Sequence, residues 1–202
     1  FAVEITDLVD REGENLLTVQ LDTREDPAIP PFGFVIDYLT YGGLYREVWL
    51  EATAESRLTD LFVYTPTLQE AVVQWTAELT PAAAAVRIRL ETADGALLAE
   101  QTAQAAETGK MQLSVPEAQP WDTEHPVLHH AIAELLNAAG QTIDRKQVTF
   151  GFRTAEFRAD GFYLNGKKTF LRGLNRHQSY PYIGYAAPAV SYTHLRAHET
   201  EL

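Results

Sequence analysis

The stretch Val86-Arg-Ile-Arg-Leu-Glu-Thr-Ala-Asp-Gly95 decides the fold class of this chain. Its apolar residues Val86, Ile88 and Leu90 alternate with charged ones, which is the period-two pattern of a strand that buries one face. The dipeptide Asp94-Gly95 then predicts a hairpin turn, because such turns need positive φ angles that glycine adopts without strain. The stretch therefore predicts a half-buried strand that reverses into an antiparallel neighbour.

Similar strand patterns lie on both sides of this stretch. Residues 17–21 alternate apolar and polar side chains, and residues 41–50 are also expected to form a strand. Further along, residues 162–164 and 168–171 indicate two short strands joined by a type I′ turn at Asn165-Gly166. Short strands separated by turns predict a mainly β chain built as a sandwich.

Three other segments have patterns that differ from strand alternation. In residues 125–140 the apolar side chains recur at helical spacing and Gly140 follows like a helix C-cap, so the local pattern alone predicts a helix. The alanine-rich residues 82–85 and 101–107 have no clear apolar stripe, and we expect them at the edges of loops.

The composition excludes several classes of function. The 202 residues carry a formal net charge of −12 without a basic stripe, so nucleic acid is not an expected partner. With no cysteine, disulfides and thiolate nucleophiles are excluded, and no apolar run approaches the roughly 18 residues of a membrane span. The sequence begins at Phe1 without an initiator methionine or a targeting signal, so we expect a missing N-terminus and a cytoplasmic protein.

Three blocks of sequence carry a resemblance to a known family. They are Tyr41-Gly-Gly-Leu-Tyr-Arg-Glu-Val-Trp-Leu50, then Trp121-Asp-Thr-Glu-His-Pro126, and finally Gly151-Phe-Arg with Phe162-Tyr-Leu-Asn-Gly-Lys and Leu171-Arg-Gly-Leu-Asn-Arg-His-Gln-Ser-Tyr-Pro. Together they resemble family 2 glycoside hydrolases, and among these the β-galactosidase-like members. The blocks also follow one another in the family's order, over residues 1 to about 188.

The resemblance implies a division of the chain into four parts. Residues 1–53 are expected to be the C-terminal part of a jelly-roll (galactose-binding-like) sandwich, and residues 54–156 a complete immunoglobulin-like β-sandwich. Residues 157–189 would supply the first strands of a truncated TIM (β/α)8 barrel, whereas residues 190–202 depart from the family and are expected to be a non-native tail. For residues 125–140 the resemblance implies a strand and a hairpin at Ala139-Gly140, and we follow it.

The resemblance also implies the chemistry of a longer parent enzyme. That enzyme would hydrolyse terminal β-galactosides with retention, which needs two carboxyl groups only about 5 Å apart. Both family glutamates are expected beyond the last residue of this chain, so the chain by itself is predicted to be inactive. The alternatives are another family 2 activity, β-glucuronidase or β-mannosidase, and a non-catalytic carbohydrate-binding sandwich. Against the last, Trp75 and Trp121 are the only tryptophans of the sandwich, and both are expected in its core.

Four residues are candidates for binding sugar, on the strength of the same resemblance. His177 would hydrogen-bond sugar hydroxyls and help to stabilise the transition state, while Asn175 and Arg176 orient the site at the mouth of the barrel. Glu47 matches a position where lactose-type enzymes carry an aspartate that binds a sugar hydroxyl and sodium. Because the glutamate is one methylene longer, sodium binding is not carried over, and Glu47 could instead pair with Arg46 or another cation.

No cofactor is required by the resemblance, although it allows Na⁺ or Mg²⁺ in the parent enzyme. His194 and His198 stand four residues apart with Glu199 beside them, but no third ligand is fixed nearby, so no metal site is predicted. The expected partners are a β-galactoside or a related oligosaccharide and further copies of the parent in a homo-oligomer. Neither nucleic acid nor a membrane is an expected partner.

Overall fold

The computed structural model describes residues 2–24, 26, 28, 42–44, 46–173 and 186 of the chain. The chain divides into two compact units, one of Leu50–Gly173 and one of Phe1–Trp49 with Leu174–Leu202. The ten strands of the described residues all lie in the unit Leu50–Gly173, and none of the described residues forms a helix that could cross a membrane. The strands are β1 (Arg57–Thr67), β2 (Glu70–Glu78), β3 (Ala85–Thr92), β4 (Leu97–Gln104), β5 (Thr108–Ser114), β6 (His129–Leu136), β7 (Thr142–Phe150), β8 (Ala155–Arg158), β9 (Gly161–Leu164) and β10 (Lys167–Lys168).

The first seven strands form two antiparallel sheets that share one apolar core. One sheet has the order β1-β2-β5 and the other β4-β3-β6-β7. The fourth strand thus joins the sheet of the third, sixth and seventh, which differs from the constant-type immunoglobulin arrangement. The core includes side chains from both sheets, namely Leu58, Leu61, Val73, Trp75, Val86, Ile88, Leu90, Met111, Leu113, Ala131, Ala133 and Leu135. This mainly β sandwich confirms the predicted fold class.

Strand β3 confirms the alternation that the sequence predicted. Val86, Ile88 and Leu90 are fully buried, whereas the charged residues between them lie on the other face of the sheet. The predicted hairpin is also present, because β3 pairs with β4 and Gly95 has a φ of +90°. The residues 101–104, expected at a loop edge, instead belong to β4, where pairing with β3 outweighs the weak local preference of alanine and glutamine.

Strand β6 explains why residues 125–140 resembled a helix. Ala131, Ala133 and Leu135 face the core, while Ile132, on the opposite face, is only 1% exposed. β6 lies between β3 and β7 in its sheet, and seven of its eight residues are buried, so burial on both faces removes the period of two. The helix favoured by local pattern is therefore wrong, and the strand followed by a hairpin is confirmed, with Gly140 at a φ of +77°.

The small sheet β10-β9-β8 follows the sandwich. Asn165 and Gly166 have φ angles of +51° and +76°, which confirms the predicted type I′ turn between β9 and β10. The strand after the turn is only Lys167–Lys168, shorter than the predicted residues 168–171. It pairs with β9 on one side, and two residues are enough to close the hairpin.

The other compact unit has no strand among its described residues. Strands were predicted for residues 17–21 and 41–50, but residues 17–21 and the described part of 41–50 are irregular. Leu17 is 71% exposed and Trp49 is also exposed. A strand needs a neighbour to pair its backbone groups, and among the described residues of this unit none pairs with either segment. These two strand predictions are wrong for this structure, and the assignment of residues 1–53 to a jelly roll stays a prediction.

Side chains join the two sheets where β1 and β7 run side by side. The backbone N–H of Leu58 donates to Asp144 Oδ2 at 2.7 Å, and Lys146 Nζ donates to the carbonyl oxygen of Thr59 at 2.6 Å. Asp144 and Lys146 thus satisfy backbone groups that would otherwise be unpaired at the edge of β1. They also hold the two sheets in register at this end of the sandwich.

Candidate functional site

The structure describes one of the four predicted sugar-binding residues. Asn175, Arg176 and His177 lie outside the described residues. Glu47 is described and exposed, and no hydrogen bond or ion pair joins it to another described residue, Arg46 included. The sugar-binding roles of all four residues therefore stay predictions. The predicted tail of residues 190–202 also lies outside the described residues.

A junction built around Asn165 joins the β9–β10 turn to the loop before β6 and to the segment after β7. Asn165 Nδ2 donates to the carbonyl oxygen of Trp121 at 2.9 Å, and Asn165 Oδ1 accepts a hydrogen bond from the backbone N–H of Thr154 at 2.9 Å. In return, the backbone N–H of Asn165 donates to the carbonyl oxygen of Thr154 at 2.9 Å. One side chain thus connects the β9–β10 turn to the sandwich at two places.

The tryptophan of this junction packs closely against the end of β7. A Cβ atom at Gly151 would come within 2.6 Å of Trp121 Cβ, so only glycine allows this approach. On the other side, the Arg153 guanidinium lies 4.7 Å from the centroid of the Trp121 ring. Trp121 is thus partly buried between neighbours, whereas Trp75 is fully within the core as predicted.

Two carboxyl groups of the described residues, Asp122 and Asp160, accept hydrogen bonds from groups close to them in sequence. Backbone N–H groups of His125 and Glu124 donate to Asp122 and lower the pKa of its carboxyl group. The hydroxyl of Tyr163 and the ammonium of Lys168 likewise lower the pKa of Asp160. A general acid needs the opposite shift, so these groups are not suited to protonate a leaving group. Among the described residues, no three histidine, aspartate or glutamate side chains converge as a Na⁺ or Mg²⁺ site would require.

A groove of about 400 Å³ lies on the outer face of the β1-β2-β5 sheet. The pairing register places Phe62 of β1 opposite Gln74 of β2, and Gln74 opposite Lys110 of β5. These three residues, with Asp60 and others, line the groove. They form a row across the sheet with an aromatic ring at one side and a cation at the other.

A second aromatic side chain extends this row along β1. Phe62 and Tyr64 are 55% and 41% exposed, and their ring centroids are 6.1 Å apart with planes tilted by 33°. This aromatic pair was not predicted from the sequence, in which the two tryptophans were the only aromatic residues of the sandwich considered as contacts for sugar. The available signal was the pair of aromatic residues at positions i and i+2 of Thr59-Asp-Leu-Phe-Val-Tyr-Thr65, which places both on one face of a strand.

Comparisons with known proteins agree on one family. The model of one protein family, described as "Glycosyl hydrolases family 2", matches residues 56–153 of the chain. A β-galactosidase from Thermoanaerobacter pseudethanolicus is 35% identical over 184 residues, which cover 87% of this chain and 25% of the relative. A putative β-glucuronidase from Formosa agariphila is 32% identical over 194 residues, covering 92% of this chain and 23% of the relative.

A solved structure supports the same relationship. The apo structure of Bacteroides uniformis β-glucuronidase 3 superposes with a TM-score of 0.67 and 26% identity, over 81% of this chain and 21% of that chain. This chain thus spans 25% of the length of the curated β-galactosidase that it matches. From the sandwich fold, the matched residues and the relatives together, the chain belongs to glycosyl hydrolase family 2.

Proposed function

We propose that this chain is part of a retaining glycoside hydrolase that hydrolyses terminal β-galactosides in carbohydrate catabolism. The observation that carries the proposal is the 35% identity to a β-galactosidase, because it extends over 87% of the chain and not over one motif. The chain spans 25% of that relative, so the activity is proposed for a longer protein. Within it, the sandwich would act as a rigid support for the sugar site.

In this proposal the sugar-binding residues Asn175, Arg176 and His177 come shortly after the Asn165 junction in the sequence. His177 lies nine positions after Lys168, the last residue of β10. Anchoring the β9–β10 turn to Trp121 and Thr154 restricts where that segment begins. His177 would hydrogen-bond sugar hydroxyls, and Asn175 and Arg176 would orient it. Preorganisation of this kind is valuable because misplacement by about 1 Å can cost on the order of 100-fold in rate.

We also propose that the chain of 202 residues does not hydrolyse glycosides by itself. Retaining chemistry needs two carboxyl groups about 5 Å apart across the scissile bond, and the family resemblance assigns both glutamates to a later part of the barrel. The test is nitrophenol release from p-nitrophenyl β-galactoside by the chain and by its His177→Ala variant. Equal, buffer-level rates are expected. Turnover by the chain that exceeds the variant would refute the proposal.

A second candidate activity is hydrolysis of β-glucuronides. A putative β-glucuronidase is 32% identical over 194 residues, close to the identity of the β-galactosidases. The discriminating experiment extends the reading frame in the source DNA and compares kcat/KM for p-nitrophenyl β-galactoside and β-glucuronide. A preference for the galactoside supports the first proposal. A preference for the glucuronide replaces it with the second.

A further inference from the structure

The outer face of the β1-β2-β5 sheet carries aromatic rings where solvated strand faces usually carry polar side chains. Phe62 is 55% exposed and Tyr64 is 41% exposed, while Val72, which pairs with Tyr64, is buried beside it. The ring centroids of Phe62 and Tyr64 are 6.1 Å apart. Exposed apolar surface of this kind, rimmed by polar residues, often marks a binding site.

The polar groups beside the rings have unused hydrogen-bonding capacity. Gln74, Lys110 and Asp60 line the groove next to Phe62. Among the described residues, none of these three side chains has a hydrogen-bond or ion-pair partner. By contrast, Gln112 on the same face donates to Glu70 at 3.0 Å. The free donors and acceptors are therefore concentrated around the groove and not spread over the whole sheet.

We propose that this groove binds a neutral saccharide. A sugar ring has an apolar face of C–H groups and a rim of hydroxyls. The apolar face would stack on Phe62 and Tyr64, since aromatic rings offer large, rigid contact area. The hydroxyl rim would exchange hydrogen bonds with the Gln74 amide, the Lys110 ammonium and the Asp60 carboxylate. The groove, at about 400 Å³, falls within the usual range for small-ligand sites.

The charges of the groove favour a neutral ligand over an ionic one. Lys110 and Asp60 lie on the same groove and have opposite charges, and the chain as a whole carries a formal net charge of −12. A polyanion such as nucleic acid would be repelled at long range. A hydroxylated ligand can satisfy both charged groups because each hydroxyl donates and accepts. This inference does not depend on the hydrolase proposal, because no catalytic residue takes part.

The experiment is a titration of the complete ¹⁵N-labelled chain with β-1,4-linked galactotetraose, and in parallel with cellotetraose, followed by amide NMR. Binding by one small groove is expected with a Kd on the order of 1 mM. Saturable shifts should centre on Phe62, Gln74 and Lys110. Absence of shifts with both saccharides up to about 20 mM would overturn the proposal, and would leave contact with another part of a longer protein as the use of this surface.

Matched variants separate a specific site from weak general binding. Phe62→Ala should weaken binding at least about tenfold, whereas Phe62→Trp should retain it because the stacking surface remains. The control is Phe157→Ala in β8, since Phe157 is 82% exposed but lies in a different sheet. Equal losses in both alanine variants, or shifts centred away from the groove, would contradict the proposal. Unchanged spectra outside the β1-β2-β5 sheet confirm that Phe62→Ala has folded.

Discussion

The side-chain amide of Asn165 donates a hydrogen bond of 2.9 Å to the backbone carbonyl oxygen of Trp121. This bond spans 44 residues of sequence and joins the β9–β10 turn to the loop before β6. Asn165 is also the only non-glycine residue with a positive φ in the described part of the chain, at +51°. Asparagine suits this position for two reasons. It tolerates a positive φ, and its side chain supplies both a hydrogen-bond donor and an acceptor.

Asn165→Ala should therefore weaken the attachment of the small β8–β10 sheet to the sandwich. Two side-chain hydrogen bonds are lost, at about 1 kcal/mol each, and alanine is strained at positive φ by about another 1 kcal/mol. Amide hydrogen exchange should lose protection in β9 and β10 while β3 and β6 stay protected. Asn165→Gly is the control, since it keeps the backbone conformation and loses only the side-chain bonds, so its effect should be smaller. Equal protection in the wild type and both variants would contradict this role.

Gly109→Ala should destabilise the sandwich through the core. A Cβ atom at residue 109 would lie 2.1 Å from Trp75 Cζ2, and the indole is held by a hydrogen bond from Trp75 Nε1 to the carbonyl oxygen of Ala106. Overpacking of this kind costs about 1–3 kcal/mol. Urea unfolding followed by tryptophan fluorescence measures the loss. The neighbouring exposed variant Thr108→Ala should change stability by less than about 0.5 kcal/mol, and an equal loss in both would reject the packing argument.

Glu134 is the most buried acidic side chain of the ion pairs in the described residues, at 10% exposure, and it lies on the outer face of β6. Its Oε2 accepts a hydrogen bond from Arg87 Nε at 2.8 Å, and Arg89 Nε lies 4.0 Å away. Glu134→Ala would leave Arg87 without its carboxylate partner, whereas Arg89 would keep its ion pair with Glu91 at 2.7 Å. A loss of about 2–4 kcal/mol in the free energy of unfolding is expected, because breaking a largely buried pair strands its partner.

The exposed pair of Arg158 and Glu156 provides the control for Glu134. Their side chains are 45% and 50% exposed, so solvent screens their attraction. Glu156→Ala should give no measurable change in urea unfolding. If Glu134→Ala also leaves the free energy of unfolding unchanged, the ion pairs of Glu134 contribute nothing to stability and the prediction fails.

His129 should make the stability of the sandwich depend on pH. Its ring contacts Phe152 with centroids 5.0 Å apart, its Nδ1 is buried without a partner among the described residues, and burial lowers its pKa below 6.5, with His130 adding to the shift. The unfolded state therefore binds a proton more readily than the folded state. Stability should be complete above pH 6.5 and should fall as the pH decreases below it.

The measurement for His129 is urea unfolding at several pH values between 7.5 and 5, before most carboxyl groups titrate. Glutamine cannot take up a proton in this range, so His129→Gln should reduce the change in the free energy of unfolding with pH. His130→Gln should largely preserve that change. A wild-type protein with the same free energy of unfolding at pH 7.5 and 5.5 would show that His129 does not titrate as expected.

The parts of the fold that followed local rules could be predicted from the sequence. The alternation in β3 and the Asn165-Gly166 turn each depend on short-range chemistry, and both are present. Strand β6 could not be predicted from its own residues, because both of its faces are buried and the strand therefore lacks the alternation that marks a half-buried strand. The charged residues Arg87 and Arg89 were predicted to face outward, but their pairing with Glu134 depends on strand order, which a local pattern does not contain.

The candidate site was harder to predict than the fold. Residues such as His177 were identified through the family resemblance and not from any local pattern. The groove beside Phe62 arises only when β1, β2 and β5 pair in one register, which brings Gln74 and Lys110 next to the ring. Strand register is set by contacts across the whole sandwich, so an exposed aromatic pair can be suspected from sequence but its polar neighbours cannot.

The most direct test of the account is the configuration of the sugar that the product of the extended reading frame first releases from a β-galactoside. Proton NMR during the first minutes distinguishes the two anomers before they interconvert. A family 2 enzyme with two carboxyl groups about 5 Å apart should release β-galactose first. Release of α-galactose first, or no hydrolysis of the β-galactoside, would contradict the assignment of this chain to a retaining β-galactosidase.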